Sequence, residues 1–131
     1  MTTGIFVTGT DTGVGKTRAA CALMRGFAAR GLRVAGMKPV AAGGLVATPD
    51  GMLNEDVVAL RAAATVDAPL DEVNPYCFAE PIAPHIAAAR AGIAIDLDVL
   101  SARFDALAAR RDVVVVEGAG GFLVPLDAHH D

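Results

Sequence analysis

Apolar positions along the chain switch between two periods, and the switches mark its elements. Residues 4–9 form a short β-branched and aromatic run ended by Gly9, which predicts a buried strand. Residues 16–30 place Ala20, Leu23, Met24, Phe27 and Ala28 at helical spacing, with Gly31 as the stop. Residues 32–40, Leu-Arg-Val-Ala-Gly-Met-Lys-Pro-Val, read as the next strand. Strand, helix and strand of these lengths make a βαβ unit, which favours a parallel sheet. Residues 41–52, with Gly43, Gly44, Pro49 and Gly51, read as a loop. Asn54 caps a short helix through about Ala64, with Glu55 and Asp56 in its first turn. Residues 65–81 read as irregular, punctuated by Pro69, Pro75 and Pro81, and an alanine-rich helix then ends near Gly92. Asp96 opens a further helix through about Arg110, with Leu97, Leu100, Phe104, Leu107 and Ala108 on its apolar face. Asp112 leads into Val113-Val114-Val115-Val116, a strand buried on both faces. The expected architecture is one α/β domain over residues 1–131.

The first strand-to-helix turn carries the strongest chemistry. It reads Gly-Thr-Asp-Thr-Gly-Val-Gly-Lys-Thr over residues 9–17. Glycines there let backbone N–H groups aim at one point, and the helix N-terminus adds partial positive charge. Lys16 can reach the outer phosphates, and the Thr17 hydroxyl can ligate Mg²⁺. Five residues separate Gly9 from Gly15, one more than the usual phosphate loop has.

Other candidates lie where the strands end. Ligands of open parallel sheets bind beyond the carboxyl ends of the strands. Lys38 ends the second strand, and that position favours a functional role over a solvated lysine before a proline. Glu117 ends the third strand and is the expected second Mg²⁺ contact, directly or through water. The Gly-Ala-Gly-Gly that follows allows close backbone approach to an anion. For Glu55 and Asp56, composition favours stabilisation of the helix dipole, with metal ligation as the alternative. His85 reads as a helix-start residue, and His129 and His130 as loop residues.

Composition narrows the class. Hydrophobic residues make up 53% and aromatics 5% of 131 residues, so an aliphatic core is expected. A net charge of −4 with no basic block argues against a nucleic-acid surface. Cys21 and Cys77 lack metal-ligand spacing, and Cys21 reads as a buried thiol. No apolar run reaches membrane-spanning length and no leader pattern opens the chain, so the cytoplasm is the expected compartment.

Four stretches together closely resemble the dethiobiotin synthetase family, within the wider group of P-loop ATPases with modified phosphate loops. They are Val-Thr-Gly-Thr-Asp-Thr-Gly-Val-Gly-Lys-Thr, Lys-Pro-Val, Asn-Pro-Tyr-Cys-Phe-Ala-Glu-Pro and Val-Glu-Gly-Ala-Gly-Gly, in this order. The resemblance implies a three-layer P-loop fold with a mostly parallel sheet flanked by helices. It also implies that this is the N-terminal part of a longer, homodimeric enzyme. The implied reaction is carboxylation of 7,8-diaminononanoate with CO₂, phosphorylation of the carbamate by ATP, and closure of a cyclic urea.

By that resemblance Gly13, Val14, Gly15, Lys16 and Thr17 cradle the ATP phosphates. Mg²⁺ lies near Thr17, Asp56 and Glu117, which also raises Asp56 above its composition-only reading. Thr12, Lys16 and Lys38 face the carbamate and the transferred phosphoryl group, and Lys38 stabilises charge developing in the transition state. Gly120 and Gly121 offer backbone contacts to the substrate, and Pro81 lines the groove for its aliphatic chain. Some relatives carry serine at the positions of Ala42 and Ala83, so no side-chain hydrogen bond is expected there. Partition- or septum-placing ATPases are a rival class, but their early loop lysine is replaced here by Thr10 or Asp11. Amide ligases of cobalamin synthesis are another, and would need a glutaminase domain. No nucleic-acid or membrane partner is expected.

Overall fold

The computed structural model describes residues 2–8 and 14–118. Its centre is a three-stranded parallel sheet in the order β1 (Thr3–Val7), β7 (Val113–Glu117), β2 (Val34–Met37). The last of these strands in the chain therefore lies in the middle. All its residues are buried, as four consecutive valines require. Side chains alternate between the faces of the sheet. Val113 and Val115 pack with Ala20, Cys21 and Met24 of α1 (Val14–Ala29) and Leu60 and Ala63 of α2 (Glu55–Ala63). Val114 and Val116 pack with Val73 of α3 (Leu70–Val73) and Leu107 of α5 (Leu97–Ala108). Helices on both faces give the expected three layers.

Gly36 in β2 has a packing reason. A Cβ there would come within 2.9 Å of the Met24 side chain and 3.0 Å of Leu60 Cβ. Its absence lets α1 and α2 close on the sheet.

The structure corrects several expected elements. The first strand is half-exposed rather than buried, because it lies beside β7 alone within the three-stranded sheet. On α1 the buried face runs through Thr17, Ala20, Cys21 and Met24, while Leu23 is exposed. Leu97 of α5 is exposed as well. The expected strand over residues 32–40 is two strands, β2 and β3 (Val40–Ala42), separated at Lys38-Pro39. Pro39 has no N–H to give a ladder, and the chain leaves the central sheet there. Asn74 fixes the departure by donating from Nδ2 to the carbonyls of Lys38 at 2.7 Å and Tyr76 at 2.9 Å. β3 then pairs in parallel with β6 (Tyr76–Phe78), which lies in the stretch expected to be irregular. Val40 and Phe78 form a smaller core with Ala87 and Ala88 of α4 (Pro84–Ala91) and Leu100 of α5.

The expected loop over residues 41–52 holds an antiparallel hairpin, β4 (Leu45–Thr48) and β5 (Gly51–Asn54). Its turn is closed by Thr48, whose Oγ1 accepts from Asp50 N–H at 3.1 Å and donates to the Gly51 carbonyl at 2.7 Å. Gly51 has φ +102°, a value side-chain-bearing residues avoid. Among the described residues, no helix is long and apolar enough to cross a membrane.

Candidate functional site

Sheet register builds the site. Met37 pairs with Val116, so Lys38, the next residue, stands level with Glu117 at the carboxyl end of the sheet. Lys38 Nζ lies 2.6 Å from Glu117 Oε2 and 3.0 Å from Asp56 Oδ2. Lys38 and Glu117 are buried, and Asp56 is partly exposed. A lysine is rarely buried unless it is paired, and here it has two carboxylates. One acceptor is left over: Glu117 Oε1 is buried without a hydrogen-bond partner among the described residues.

Asp56 is delivered by the start of α2. Asn54 caps that helix, accepting from Asp56 N–H at 2.9 Å and Val57 N–H at 3.2 Å. Its Nδ2 donates 2.9 Å to the Gly43 carbonyl, tying the helix start to the glycine turn. Gly43 has φ +74°, and a Cβ there would approach Pro81 Cβ to 2.5 Å. The turn therefore seats directly on Pro81.

Between these parts runs a cleft of about 410 Å³. Lys16, Lys38, Asp56 and Asn54 give it a charged and polar side, and Pro81, Ile82, Ala83 and Pro84 an apolar one. Lys16 comes from the first turn of α1, and its Nζ donates to the Gly118 carbonyl at 3.2 Å. Both lysines thus stand at the carboxyl ends of the strands, beside the strand-ending Glu117. Ala42 and Ala83, the expected hydroxyl-free positions, both line the cleft.

Of the expected site residues, Lys16, Lys38, Asp56 and Pro81 share this cleft, with Glu117 behind Lys38. Thr17 is buried on the inward face of α1 and does not line the cleft. Val14 and Gly15 open α1. Thr12, Gly13, Gly120 and Gly121, and likewise His129 and His130, lie outside the described residues. His85 is exposed on the first turn of α4 and does not line the cleft. Asn74 carried no expected role, although it holds the backbone of Lys38. A polar residue between Val73 and Pro75 is a weak sequence signal, and only the proline-enforced break at Lys38-Pro39 gives it meaning.

Cys21, one helical turn after Thr17, is a buried free thiol. Burial pushes its pKa up, Arg25 opposes this, and the charges of Glu117 and Asp56 add to it.

Mg²⁺ needs hard oxygen ligands and keeps several water or phosphate ligands of its own. Among the described residues there is no cluster of three or more His, Cys, Asp or Glu side chains able to hold a metal. Asp56 and Glu117 are nevertheless hard oxygen donors set close together by one lysine, and Glu117 keeps an oxygen unpartnered among the described residues. The donor set fits the ion.

A parallel sheet flanked on both faces by helices, with a lysine-bearing helix start at its carboxyl end, defines a nucleotide-binding α/β domain. The chain belongs to the family described as AAA domain, which matches residues 3–130. The chain is similar to proteins named ATP-dependent dethiobiotin synthetase BioD, among them the following three. The one from Nitrosospira multiformis is 56% identical over 131 residues, 100% of this chain and 56% of the relative. Those from Aeromonas hydrophila and Aromatoleum aromaticum are 53% and 51% identical, over 99% and 96% of this chain and 58% and 56% of their own lengths. The chain thus spans a little over half the length of these curated relatives.

Proposed function

We propose that this chain is the phosphate-handling part of an ATP- and Mg²⁺-dependent dethiobiotin synthetase acting on 7,8-diaminononanoate and CO₂. The observation that carries the reading is the Lys38 ammonium held between Asp56 and Glu117 in a cleft shared with Lys16. The chemistry demands such a site. A carbamate anion must attack the γ-phosphorus of another anion, so positive charge has to screen both and hold them in line.

Backbone groups of Gly13, Val14 and Gly15 cradle the phosphates, and Lys16 bridges the outer two. Lys38 and Thr12 face the carbamate and the phosphoryl group in flight. Asp56 and Glu117, with the Thr17 hydroxyl that the family resemblance adds although it does not line the cleft here, would hold Mg²⁺, which would neutralise charge on the phosphate oxygens. Pro81 and its neighbours exclude water along the aliphatic part of the diamine, and Gly120 and Gly121 offer backbone contacts to it. The second amine then displaces phosphate and closes the urea. A single domain here, and a cytoplasmic homodimer for the whole protein, belong to the same proposal and rest on the motif resemblance alone.

The test uses the protein at the full length of its relatives. It is incubated with MgATP, bicarbonate and 7,8-diaminononanoate, and the products are read by mass spectrometry. A cyclic urea dependent on all three is expected. ATP turnover without it would sink the proposal.

A further inference from the structure

The ion pairs of Lys38 carry an inference beyond charge stabilisation, one that rests on the proposed role of Asp56 and Glu117 as metal ligands. We infer that Lys38 is an internal counter-cation of the metal site, held there by the two carboxylates and handed over to the reacting anions when a divalent cation takes them.

Three observations support it. Glu117 is 1% exposed, and an isolated carboxylate taken that far out of water is strongly destabilised. Lys38 offsets this cost at 2.6 Å and satisfies one oxygen, Oε2, while Oε1 remains without a partner among the described residues. The same ammonium reaches Asp56 at 3.0 Å, so one cation serves both proposed ligands. Finally, the lysine has somewhere to go. Its side chain lines the cleft beside Lys16, on a flexible four-carbon stem, while Asn74 holds its backbone in place.

The electrostatic consequence is competition. Glu117 Oε1 gives an arriving divalent cation its first contact, and as that cation draws in Oε2 and Oδ2 it repels the Lys38 ammonium that holds them. Lys38 gives up Oε2 and Oδ2 as the cation arrives, and its charge becomes available to phosphate or carbamate. Half of the site's negative charge is thereby offset when it is empty of metal, and the lysine is freed only when the metal needed for reaction is in place. Metal loading and lysine availability become one event.

The chain has two lysines, Lys16 and Lys38, which makes the exchange readable by amine acylation and peptide mass spectrometry. In this chain without nucleotide, saturating Mg²⁺ should raise the acylation rate of Lys38 several-fold. Unchanged or slower labelling of Lys38 would overturn the inference. A second measurement titrates Mn²⁺, followed by electron paramagnetic resonance, into wild type and Lys38→Met, again without nucleotide. Removal of the competitor should tighten Mn²⁺ binding by about tenfold, equivalent to about 1.4 kcal/mol. Equal or weaker binding by the variant would also overturn it. Should Lys38→Met not fold without metal, the wild-type labelling decides alone. Failure of the inference is separable from failure of the proposed function. A cyclic urea formed by a protein whose Lys38 ignores Mg²⁺ rejects only the exchange, whereas a normal Mn²⁺ response without the urea rejects only the synthetase reading.

Discussion

The same two strands, β2 and β7, are bridged by ion pairs at both ends, and the two ends do opposite things. At the amino end, Arg33 Nη2 meets Asp112 Oδ1 at 3.2 Å, with side chains 65% and 36% exposed. At the carboxyl end, Lys38 meets Glu117 at 2.6 Å, with side chains 7% and 1% exposed. Water screens the first pair, so it aligns the strands without adding much stability. The second sits where desolvation is costly and attraction strong, a position stability alone seldom explains. The contrast teaches that the two ends place charge differently, exposed at the amino end and buried at the carboxyl end, where the proposed site lies.

Changing each pair should separate these roles. The largest effect is expected on turnover. In the full-length protein, Lys38→Ala should lower the rate of ring closure by about 10²–10³-fold while leaving ATP affinity nearly intact, as loss of a group that acts mainly in the transition state does. Equal loss of affinity and rate would assign Lys38 to nucleotide binding instead. Arg33→Ala in the same assay should leave both parameters unchanged.

Stability gives the next contrast. Glu117→Ala leaves the Lys38 ammonium with Asp56 as its one carboxylate partner among the described residues, and should cost about 3 kcal/mol in urea unfolding at neutral pH. Asp112→Ala should shift the urea midpoint no more than an ordinary surface substitution. Comparable losses at the two ends would contradict the contrast in burial.

A smaller effect is expected at the turn that frames the cleft. Gly43→Ala places a Cβ against Pro81 at a positive φ, and should cost about 1–3 kcal/mol and weaken diamine affinity more than ATP affinity. If only ATP affinity fell, the turn would belong to the nucleotide side.

The smallest effect is the pH dependence of the amino-end pair. The Arg33 side chain and then its backbone N–H donate to Asp112, and hold its carboxyl below the usual range. A carboxyl with a lowered folded value favours the ionised folded state. Its contribution is complete above the unfolded value and is lost as pH falls through the folded one. The small difference in melting midpoint between wild type and Asp112→Asn should therefore be present at pH 7 and fade below about pH 4. A difference that grows on acidification would contradict the pairing.

The central layers and much of the cleft were legible from residue pattern. Four valines before Glu117 declared a buried strand, and the Asn54 cap with its first-turn acids placed the start of α2. Lys38 was traceable to a strand end, because the apolar run that stops before Pro39 is a local signal. The hairpin was hidden because Leu45-Val46-Ala47-Thr48 lies among glycines and read as loop. Pro49-Asp50-Gly51 between two short apolar runs was the signal that would have revealed it. β3 and β6 were missed for a different reason. They are short, pair across a long separation, and depend on Pro39 and Asn74 steering the chain out of the central sheet. Asp56 was ambiguous until tertiary structure set it against Lys38, since a first-turn acid has an adequate local reason to exist. The ion pairing of Lys38 was not legible at all. It arises from three elements distant in sequence and from the burial of Glu117.

The measurement closest to the central claim follows an oxygen atom. With the full-length protein, ATP, Mg²⁺ and ¹⁸O-labelled CO₂, phosphorylation of a carbamate followed by ring closure moves one carbamate oxygen onto the released phosphate. The other oxygen stays in the urea. The account predicts one ¹⁸O per phosphate by mass spectrometry, formed in step with the cyclic urea. A cyclic urea accompanied by unlabelled phosphate would show that the carboxyl-end cleft does not transfer phosphate to a carbamate.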